Sequence, residues 1–214
     1  MNILLVAGGS PDDWPQFEPT AFDYFVGIDR GSLYIVKQGW SLDLAVGDFD
    51  SLTSTEYQQI QKQAKELVQA QAEKDDTDTQ LALALTVEKF PESEITIIGA
   101  TGGRLDHFLA NLWLPMEPRF QPFAHQIKLR NHQNSIAYYL PGSYVVEKEE
   151  GMDYLAYCCL TPVKKLTLTK SKYTLDQVDV KVPTSYASNE FVGTTAEFSF
   201  GAGIIAVIQS CDGK

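Results

Sequence analysis

The sequence predicts an α/β N-terminal domain with a Rossmann-like, mainly parallel sheet, followed by an all-β C-terminal domain that is a sandwich or a half-barrel. Up to about residue 126, short apolar runs alternate with segments of helical spacing, as expected for parallel strands joined by helices. Beyond that point helical spacing fades, and turn signals such as Pro141-Gly142 and Glu150-Gly151 separate β-rich runs at short intervals. We therefore expect domains at 1–126 and 127–214.

The individual elements follow from periodicity. Apolar runs in the first domain predict buried strands at residues 3–7, 24–29, 42–47 and 95–100. Helix formers predict helices at 55–67 and 79–90, and a third, apolar helix opens after the Gly-rich segment 99–107. Thr77 and Gln80 can form a capping box that marks the start of the 79–90 helix. In the second domain, β-rich runs predict strands at residues 135–140, 152–160, 164–169, 196–200 and 204–209.

The charge balance restricts the classes of partner. The chain of 214 residues has 28 Asp and Glu against 17 Lys and Arg, a formal net charge of -11. Such a surface repels a nucleic-acid backbone or an anionic membrane, so we expect neither nucleic acid nor membrane as a partner. To bind an anionic substrate such as ATP, the protein would need metal cations and a few basic residues that make the electrostatic potential positive at the binding site. The acidity therefore favours a metal-dependent site.

The N-terminal run and the cysteines favour a cytoplasmic protein. The apolar run after Met1 has no basic region ahead of it and is far too short for a signal peptide or a membrane span. Cys158, Cys159 and Cys211 form no C-x-x-C pair, so a disulfide framework is not expected. We predict buried structural cysteines in a reducing compartment.

Asp48 and Asp50 are the first candidates for metal ligands. They follow the predicted strand 42–47, and residues two apart in an extended segment point the same way. Mg²⁺ prefers one or two carboxylates together with waters and phosphate oxygens. By itself the pair is better interpreted as a turn that caps the next helix, so its functional interpretation depends on the other clusters.

Two further polar clusters precede helices. The segment Lys74-Asp75-Asp76-Thr77-Asp78 could complement a helix dipole, or it could combine a phosphate contact with metal ligands. Gly102, Gly103 and Arg104 lie between a strand and a helix, as in a phosphate-binding loop. The same residues are compatible with a tight strand-to-helix turn, and they match neither the P-loop nor the dinucleotide-binding pattern.

The placement of these groups at strand ends favours one shared site. Gly8-Gly9 follows the first predicted strand, and Asp29-Arg30 follows the second. In an open α/β sheet, ligands bind at the carboxyl ends of the strands. Because all of these groups are expected at that edge, we predict that they form a common site for Mg²⁺ and phosphate. The alternative is that each group has only a local role in its own turn.

The ordered motifs are similar to those of a known enzyme family. They read GIDRG (27–31), GDFDS (47–51), KDDTD (74–78), GGRLDH (102–107), SNEF (188–191) and FSFGAGIIAVIQS (198–210). In this order, ahead of a β-rich half, they resemble bacterial thiamine pyrophosphokinases over nearly the whole chain. The resemblance implies transfer of the terminal pyrophosphoryl group of ATP to the hydroxyethyl oxygen of thiamine, giving thiamine diphosphate and AMP. It also implies an α/β N-terminal domain, an all-β sandwich C-terminal domain and a homodimer with active sites shared between subunits.

The resemblance further implies roles for individual residues. The metal-binding acids fall on Asp48, Asp50 and Asp78, and Asp106 is implied near phosphate or metal as the fourth catalytic acid. The implied nucleotide contacts are Gly8, Gly9, Asp29, Arg30, Lys74, Thr77, Gly102, Gly103, Arg104 and His107. The implied thiamine contacts are Ser188, Asn189 and Glu190, with Tyr186 or Phe191 in place of the tryptophan that some relatives place against the thiamine rings.

The residues leave part of the chemistry open. In-line attack on the β-phosphorus needs positioning and charge neutralisation rather than a covalent enzyme intermediate. Our hypothesis for the group that accepts the hydroxyl proton is Asp50 or Asp106, although metal coordination would make either a poor base. A Mg²⁺-dependent phosphohydrolase would use the same carboxylates, and a non-catalytic nucleotide-binding regulator would not need them.

Overall fold

The computed structural model describes residues 1–70 and 75–213, and the chain divides into two compact units, Met1–His132 and Gln133–Lys214. The first unit is α/β and the second is built of strands, so the predicted fold class is confirmed. The division falls later than the expected boundary near residue 126, because Ile127–Arg130 forms a strand that extends the parallel sheet of the first unit.

The first unit is built on a parallel sheet. Its strands are β1 (Asn2–Val6), β2 (Tyr24–Ile28), β3 (Leu44–Gly47), β4 (Glu66–Gln69), β5 (Glu94–Ile98) and β6 (Ile127–Arg130). They lie in the order β6-β5-β1-β2-β3-β4, and each neighbouring pair is parallel. Residues 3–6 of β1 are fully buried, which explains their uninterrupted apolar run. Because β2 lies on one side of β1 and β5 on the other, the carboxyl end of β1 is a topological switch point, where such sheets bind ligands.

Helices connect the strands of this sheet. They are α1 (Arg30–Lys37), α2 (Ser54–Gln63), α3 (Asp78–Lys89) and α4 (Leu105–Trp113). Short 3-10 helices occur at Pro11–Asp13, Pro19–Ala21, Leu114–Met116 and Gln121–Gln126. The predicted capping box at the start of α3 is confirmed, because Thr77 Oγ1 accepts from the Gln80 amide at 3.2 Å and Gln80 Oε1 accepts from the Thr77 amide at 2.7 Å.

The structure corrects one expectation in this unit and adds one helix that was not predicted. The helix expected at 55–67 ends at Gln63, and Leu67 belongs to β4, where it pairs with Ala45. Leu67 also packs against the buried core of the unit, so tertiary burial outweighs the helical preference of the local sequence. The helix α1 escaped prediction because it is short and opens with Arg30-Gly31, which carries no helix signal.

The second unit is a sandwich of antiparallel strands. They are β7 (Asn134–Tyr139), β8 (Gly142–Glu147), β9 (Tyr154–Cys159), β10 (Val163–Thr169), β11 (Leu175–Val180), β12 (Thr184–Asn189), β13 (Thr195–Phe200) and β14 (Ile205–Ser210). One sheet has the order β12-β9-β14-β7 and the other the order β11-β10-β13-β8. Tyr157 and Phe198, one from each sheet, meet in the buried core with ring centroids 5.2 Å apart. The strands β8, β11 and β12 escaped prediction because most of their residues are not buried and their apolar pattern is weak.

Two expectations about the environment of the chain can be compared with the structure. Within residues 1–70 and 75–213, no helix has the length and apolarity that crossing a membrane requires. Cys159 is buried, and burial raises the pKa of its thiol to about 11. Cys158 and Cys211 are only partly buried, so the prediction of buried cysteines holds fully for Cys159 alone.

Candidate functional site

A cavity of about 650 Å³ lies at the carboxyl edge of the parallel sheet. It is lined by the segments that follow β1, β2, β3 and β5 and by the first residues of α3 and α4. The predicted site residues that line it are Gly8, Gly9, Asp29, Asp48, Thr77, Asp78, Gly102, Gly103, Arg104 and His107. Lys74 lies outside the described residues. The position agrees with the rule that open α/β sheets bind ligands at this edge.

Three carboxylates converge beside the cavity. Asp29, Asp48 and Asp50 each offer an oxygen, and these oxygens lie within 4.8 Å of one another. The bend between Asp48 and Asp50 differs from the extended segment that we expected, because Phe49 has φ +59° and its side chain is buried. The Asp50 amide donates to Asp48 Oδ1 at 3.1 Å, which closes this tight turn. The two acids therefore come together through a local bend rather than through strand alternation.

Asp29 is the member of this group that sequence reasoning had assigned to the nucleotide alone. It lies just before α1 with φ +47° and ψ -120°, a conformation that residues with a side chain rarely adopt. Its Oδ2 accepts from Ser51 Oγ at 2.8 Å, whereas its buried Oδ1 has no hydrogen-bond partner among the described residues. Burial raises the pKa of the Asp29 carboxyl, and the charges of Asp78 and Asp48 raise it further.

This arrangement fits a hard divalent cation. A buried carboxylate oxygen without a partner is unfavourable unless a cation or donor satisfies it. Three carboxylates with no sulfur or imidazole donor are the ligand type that Mg²⁺ prefers. Asp29, Asp48 and Asp50 are therefore the residues of the described chain best placed to hold such an ion, and backbone strain at Asp29 is the kind found at functional sites.

Asp78 lies close to this group without belonging to it. It is the first residue of α3, it lines the cavity, and its charge contributes to the raised pKa of Asp29. Its expected role as a metal ligand stays a prediction. The confirmed capping box fixes the backbone on which Asp78 sits, because Thr77 and Gln80 satisfy the first amides of the helix.

The Gly-rich segment forms a loop between β5 and α4. Gly102 and Gly103 have φ +85° and +65°, which glycine adopts without strain. Buried Asn111 fixes the loop from within α4 by donating to the Ala100 carbonyl at 2.9 Å, and Asn131 donates to Thr101 Oγ1 at 2.8 Å. Sequence reasoning missed both asparagines, although an Asn within the apolar stretch of a helix is a usable signal.

The two charged residues of this loop pair with each other. Arg104 Nη2 lies 2.6 Å from Asp106 Oδ2, and the Arg104 guanidinium holds the pKa of the Asp106 carboxyl below its usual value. Asp106 is neither among the residues lining the cavity nor in the three-carboxylate group of the described chain. The structure thus places Asp106 with Arg104, and its expected role near phosphate or metal stays a prediction.

Arg30 and Gly9 have structural roles. Arg30 donates to the Ser51 carbonyl, so it ties the start of α1 to the loop after β3. A Cβ atom on Gly9 would lie 2.5 Å from the Gly99 carbonyl oxygen, which explains why this position needs glycine. Gly8 has no such restriction, because the nearest atom to an added Cβ is 3.8 Å away.

The predicted thiamine contacts lie together at the end of β12 in the second unit. Asn189 is 2 % exposed, and its side chain forms hydrogen bonds with the backbone of its neighbours. Its Oδ1 accepts from the backbone amides of Tyr173 and Glu190, both at 2.9 Å. Its Nδ2 donates to the Tyr173 carbonyl at 2.8 Å. Ser188 has φ +58° and is exposed. Glu190 forms an ion pair with Lys172.

The aromatic candidates differ in their surroundings. Tyr186 lines a small cavity of about 160 Å³ together with Tyr173 and Asn189. Phe191 is partly buried and packs against the core of the sandwich. Because the Asn189 amide connects Tyr173 to the Glu190 backbone, it shapes the segment that carries the other candidates.

Models of one enzyme family match both units of the chain. The model described as thiamin pyrophosphokinase, catalytic domain, matches residues 20–128, and the model described as thiamin pyrophosphokinase, vitamin B1 binding domain, matches residues 143–205. A thiamine pyrophosphokinase of Bacillus subtilis (strain 168) is 37% identical over 217 residues, with 99% of each chain covered.

Solved structures agree with these matches. A thiamin pyrophosphokinase family protein from Enterococcus faecalis superposes with a TM-score of 0.98 at 62% identity and full coverage of both chains. The thiamine pyrophosphokinase of Bacillus subtilis superposes with a TM-score of 0.87 at 35% identity, covering 99% of this chain and 100% of its own. The yeast thiamin pyrophosphokinase, at 15% identity and a TM-score of 0.74, shares the fold.

Proposed function

Because the chain belongs to the thiamin pyrophosphokinase family, we propose that its cavity at the sheet edge binds ATP with Mg²⁺ for transfer of the terminal pyrophosphoryl group to thiamine. The chain is an enzyme of this family, and the reaction yields thiamine diphosphate and AMP. The observation that carries the assignment of the site is the group of Asp29, Asp48 and Asp50, with its buried, unsatisfied carboxylate oxygen. Neither the phosphohydrolase nor the regulator is favoured by the family match.

The acidic group is the proposed metal site. Asp29, Asp48 and Asp50 would hold Mg²⁺, and Asp78 faces the same cavity as a further ligand. When bound, Mg²⁺ neutralises charge on the polyphosphate and orients its oxygens. The donor set supports this ion because all three groups are carboxylates.

The Gly-rich loop is the proposed phosphate contact. Its glycines allow close approach to the backbone, and the first amides of α4 point away from the helix toward its N-terminus. Arg104 and His107 add side-chain contacts at the same end of α4, and both line the cavity. The Gly8-Gly9 turn contributes a second approach to the backbone from the end of β1.

The proton of the thiamine hydroxyl needs an acceptor. Arg104 lowers the pKa of the Asp106 carboxyl, which disfavours Asp106 as the base. We keep Asp50, an exposed carboxylate of the acidic group, as the proposed acceptor through a carboxylate oxygen that does not coordinate Mg²⁺, because coordination would lower the basicity of that oxygen. In-line transfer needs no covalent enzyme intermediate, so the chain contributes positioning and charge.

The second unit is the proposed thiamine site. The vitamin B1 binding model covers residues 143–205, a range that contains Tyr186, Ser188, Asn189, Glu190 and Phe191. We propose direct contacts from Tyr186, Ser188, Glu190 and Phe191, with Asn189 holding their segment in shape. A homodimer with active sites shared between subunits and a cytoplasmic location complete the proposal.

One incubation separates the competing functions. The protein is mixed with ATP, Mg²⁺ and thiamine, and the products are resolved by chromatography. AMP with thiamine diphosphate supports the proposal, phosphate release without thiamine supports a hydrolase, and ADP indicates an ordinary kinase. Absence of turnover in a folded protein that binds ATP would favour the regulator.

A further inference from the structure

An ion-pair network holds the segment that leads into α3. Arg119 donates to both carboxylate oxygens of Asp76, at 2.8 Å from Nη1 and 2.7 Å from Nη2. Its Nε donates to Glu117 Oε2 at 2.8 Å. Two parallel bonds from one guanidinium fix direction as well as distance. Asp76 lines the cavity and Arg119 is not among its lining residues, so Arg119 supports a cavity wall without occupying the cavity.

Glu117 extends the network into α3. Gln80 Nε2 donates to Glu117 Oε1 at 2.5 Å, while Gln80 Oε1 accepts from the Thr77 amide at 2.7 Å. Gln80 therefore serves the capping box and the link to Glu117 at once. Asp78 lies between Asp76 and Gln80, so the chain is tied to residues 117–119 on both sides of Asp78.

Arg119 is itself held in place. Its guanidinium carbon lies 4.6 Å from the ring centroid of Phe120, which is 1 % exposed. The Phe120 amide donates to the Glu117 carbonyl at 2.9 Å, which closes a turn around the two network residues. Stacking on a buried ring restricts the rotamers of the Arg119 side chain. The guanidinium is therefore held in one orientation toward Asp76.

The network opposes electrostatic repulsion between the carboxylates around the cavity. Asp29, Asp48, Asp76 and Asp78 all line the cavity. Carboxylates at short range repel one another, and this repulsion acts to separate the start of α3 from the strand ends. A fixed cation on Asp76 opposes that separation.

We propose that Arg119 is a positioning residue for the metal and nucleotide site: together with Glu117 it holds residues 76–80 so that Asp78 stays at the cavity. The inference rests on the proposed function only for the identity of the ligand, a divalent cation with a nucleotide polyphosphate. Arg119 acts through Asp76 and the start of α3, and it needs no contact with substrate.

The test compares Arg119→Ala, Arg119→Lys and Glu117→Gln with the wild type. Lys89→Ala is the matched control, because Lys89 forms an exposed ion pair with Glu66 in the same unit and neither residue lines the cavity. Binding of Mg²⁺ with a non-hydrolysable ATP analogue is measured by calorimetry, and amide hydrogen exchange is followed across residues 75–80. Steady-state kinetics give KM for ATP and for thiamine separately.

We expect Arg119→Ala to weaken binding of the Mg²⁺-analogue complex about tenfold or more, as loss of residues that orient metal ligands does. Exchange across 75–80 should rise, and KM for ATP should rise while KM for thiamine stays within about twofold. Arg119→Lys should bind the complex more tightly than Arg119→Ala does but less tightly than wild type. Lysine restores the positive charge but cannot form the two parallel hydrogen bonds of the guanidinium to Asp76. Glu117→Gln should raise exchange in the same segment, and Lys89→Ala should change neither quantity.

The inference is overturned if Arg119→Ala binds the complex as tightly as wild type, or if Lys89→Ala weakens binding equally. If Arg119→Ala does not fold, Arg119→Lys and Glu117→Gln decide the matter by the same two readouts, and unchanged binding and exchange in both would overturn it. A wild type that binds the analogue without forming thiamine diphosphate would contradict the proposed function and leave the role of Arg119 standing.

Discussion

Replacing Asp29 with Asn should have opposite effects on the stability of the protein and on its capacity to bind Mg²⁺. The buried Asp29 Oδ1 has no hydrogen-bond partner among the described residues, and one carboxylate oxygen from each of Asp29, Asp48 and Asp50 lies within 4.8 Å of the other two. An amide has nearly the same shape without the charge, so it can still accept from Ser51 Oγ. Because Asn and Asp are nearly isosteric, the substitution leaves the backbone strain at this position (φ +47°, ψ -120°) unchanged. We expect Asp29→Asn to stabilise the metal-free protein and to remove most of its response to Mg²⁺.

The size of the gain can be worked from the geometry. Two unit charges 4.8 Å apart repel by about 1 kcal/mol in water and by about 3 kcal/mol at an effective dielectric constant of about 20. Asp29 and Asp48 are partly buried and Asp50 is exposed, so solvent screening favours the lower figure. A gain of about 1 kcal/mol corresponds to a rise in Tm of about 2–4 °C for a chain of this length.

The gain should depend on pH. The pKa of Asp29 is raised in the folded protein, so the folded state binds this proton more tightly than the unfolded chain does. The ionised carboxylate therefore destabilises the fold fully above the raised pKa, and the penalty disappears as the pH falls through that pKa towards the ordinary value of 3.8. The Tm advantage of Asp29→Asn should accordingly shrink as the pH is lowered from neutral to about 4.

Differential scanning calorimetry with and without Mg²⁺ provides the assay. Wild type should gain about 2.7 kcal/mol at a Mg²⁺ concentration one hundred times its Kd, and Asp29→Asn should gain little. Asp153→Asn, an exposed acid of the second unit, is the control and should keep the wild-type Mg²⁺ shift. A metal-free Asp29→Asn that melts below wild type, or one that keeps the whole Mg²⁺ shift, would refute the reasoning.

Two further predictions concern backbone and loop packing. Gly9→Ala places a Cβ atom 2.5 Å from the Gly99 carbonyl oxygen and should lower the free energy of unfolding by about 1–3 kcal/mol in urea denaturation, whereas Gly8→Ala should stay within about 0.5 kcal/mol. Equal effects of the two changes would contradict the packing argument. Asn189→Ala leaves the Tyr173 and Glu190 amides without their acceptor and should cost about 1–3 kcal/mol of stability and raise KM for thiamine but not for ATP. An unchanged KM for thiamine in a folded variant would show that this loop does not position the substrate.

Signals between near neighbours in the chain were sufficient for part of the site. The capping box of Thr77 and Gln80 spans three residues and is confirmed, because its hydrogen bonds depend only on local backbone geometry. The nearness of Asp48 and Asp50 was also expected, but the reason was wrong. Burial of the Phe49 ring beside Tyr57, with centroids 5.2 Å apart, accompanies a left-handed bend that alternation along a strand does not describe.

Contacts between distant segments could not be predicted in the same way. Asp29 reaches the acidic group because β2 and β3 pair with Ile28 opposite Val46, which brings the residues after both strands side by side. Arg119 binds Asp76 across 43 residues of chain, and no periodicity connects the two positions. The polar edge of the sheet could therefore be predicted from the sequence. The membership of Asp29 in the acidic group and the support that Arg119 gives to Asp76 could be identified only from the fold.

Transfer of an intact pyrophosphoryl group is the central claim, and its most direct test follows labelled phosphorus. ATP labelled in turn at the α, β and γ positions is incubated with Mg²⁺ and thiamine, and label is measured in each product. We predict that β and γ label enter thiamine diphosphate in equal amounts, that α label stays in AMP, and that Asp50→Asn slows the transfer by about 100-fold. Transfer of γ label alone, release of label without thiamine, or an Asp50→Asn variant as fast as wild type would contradict the account.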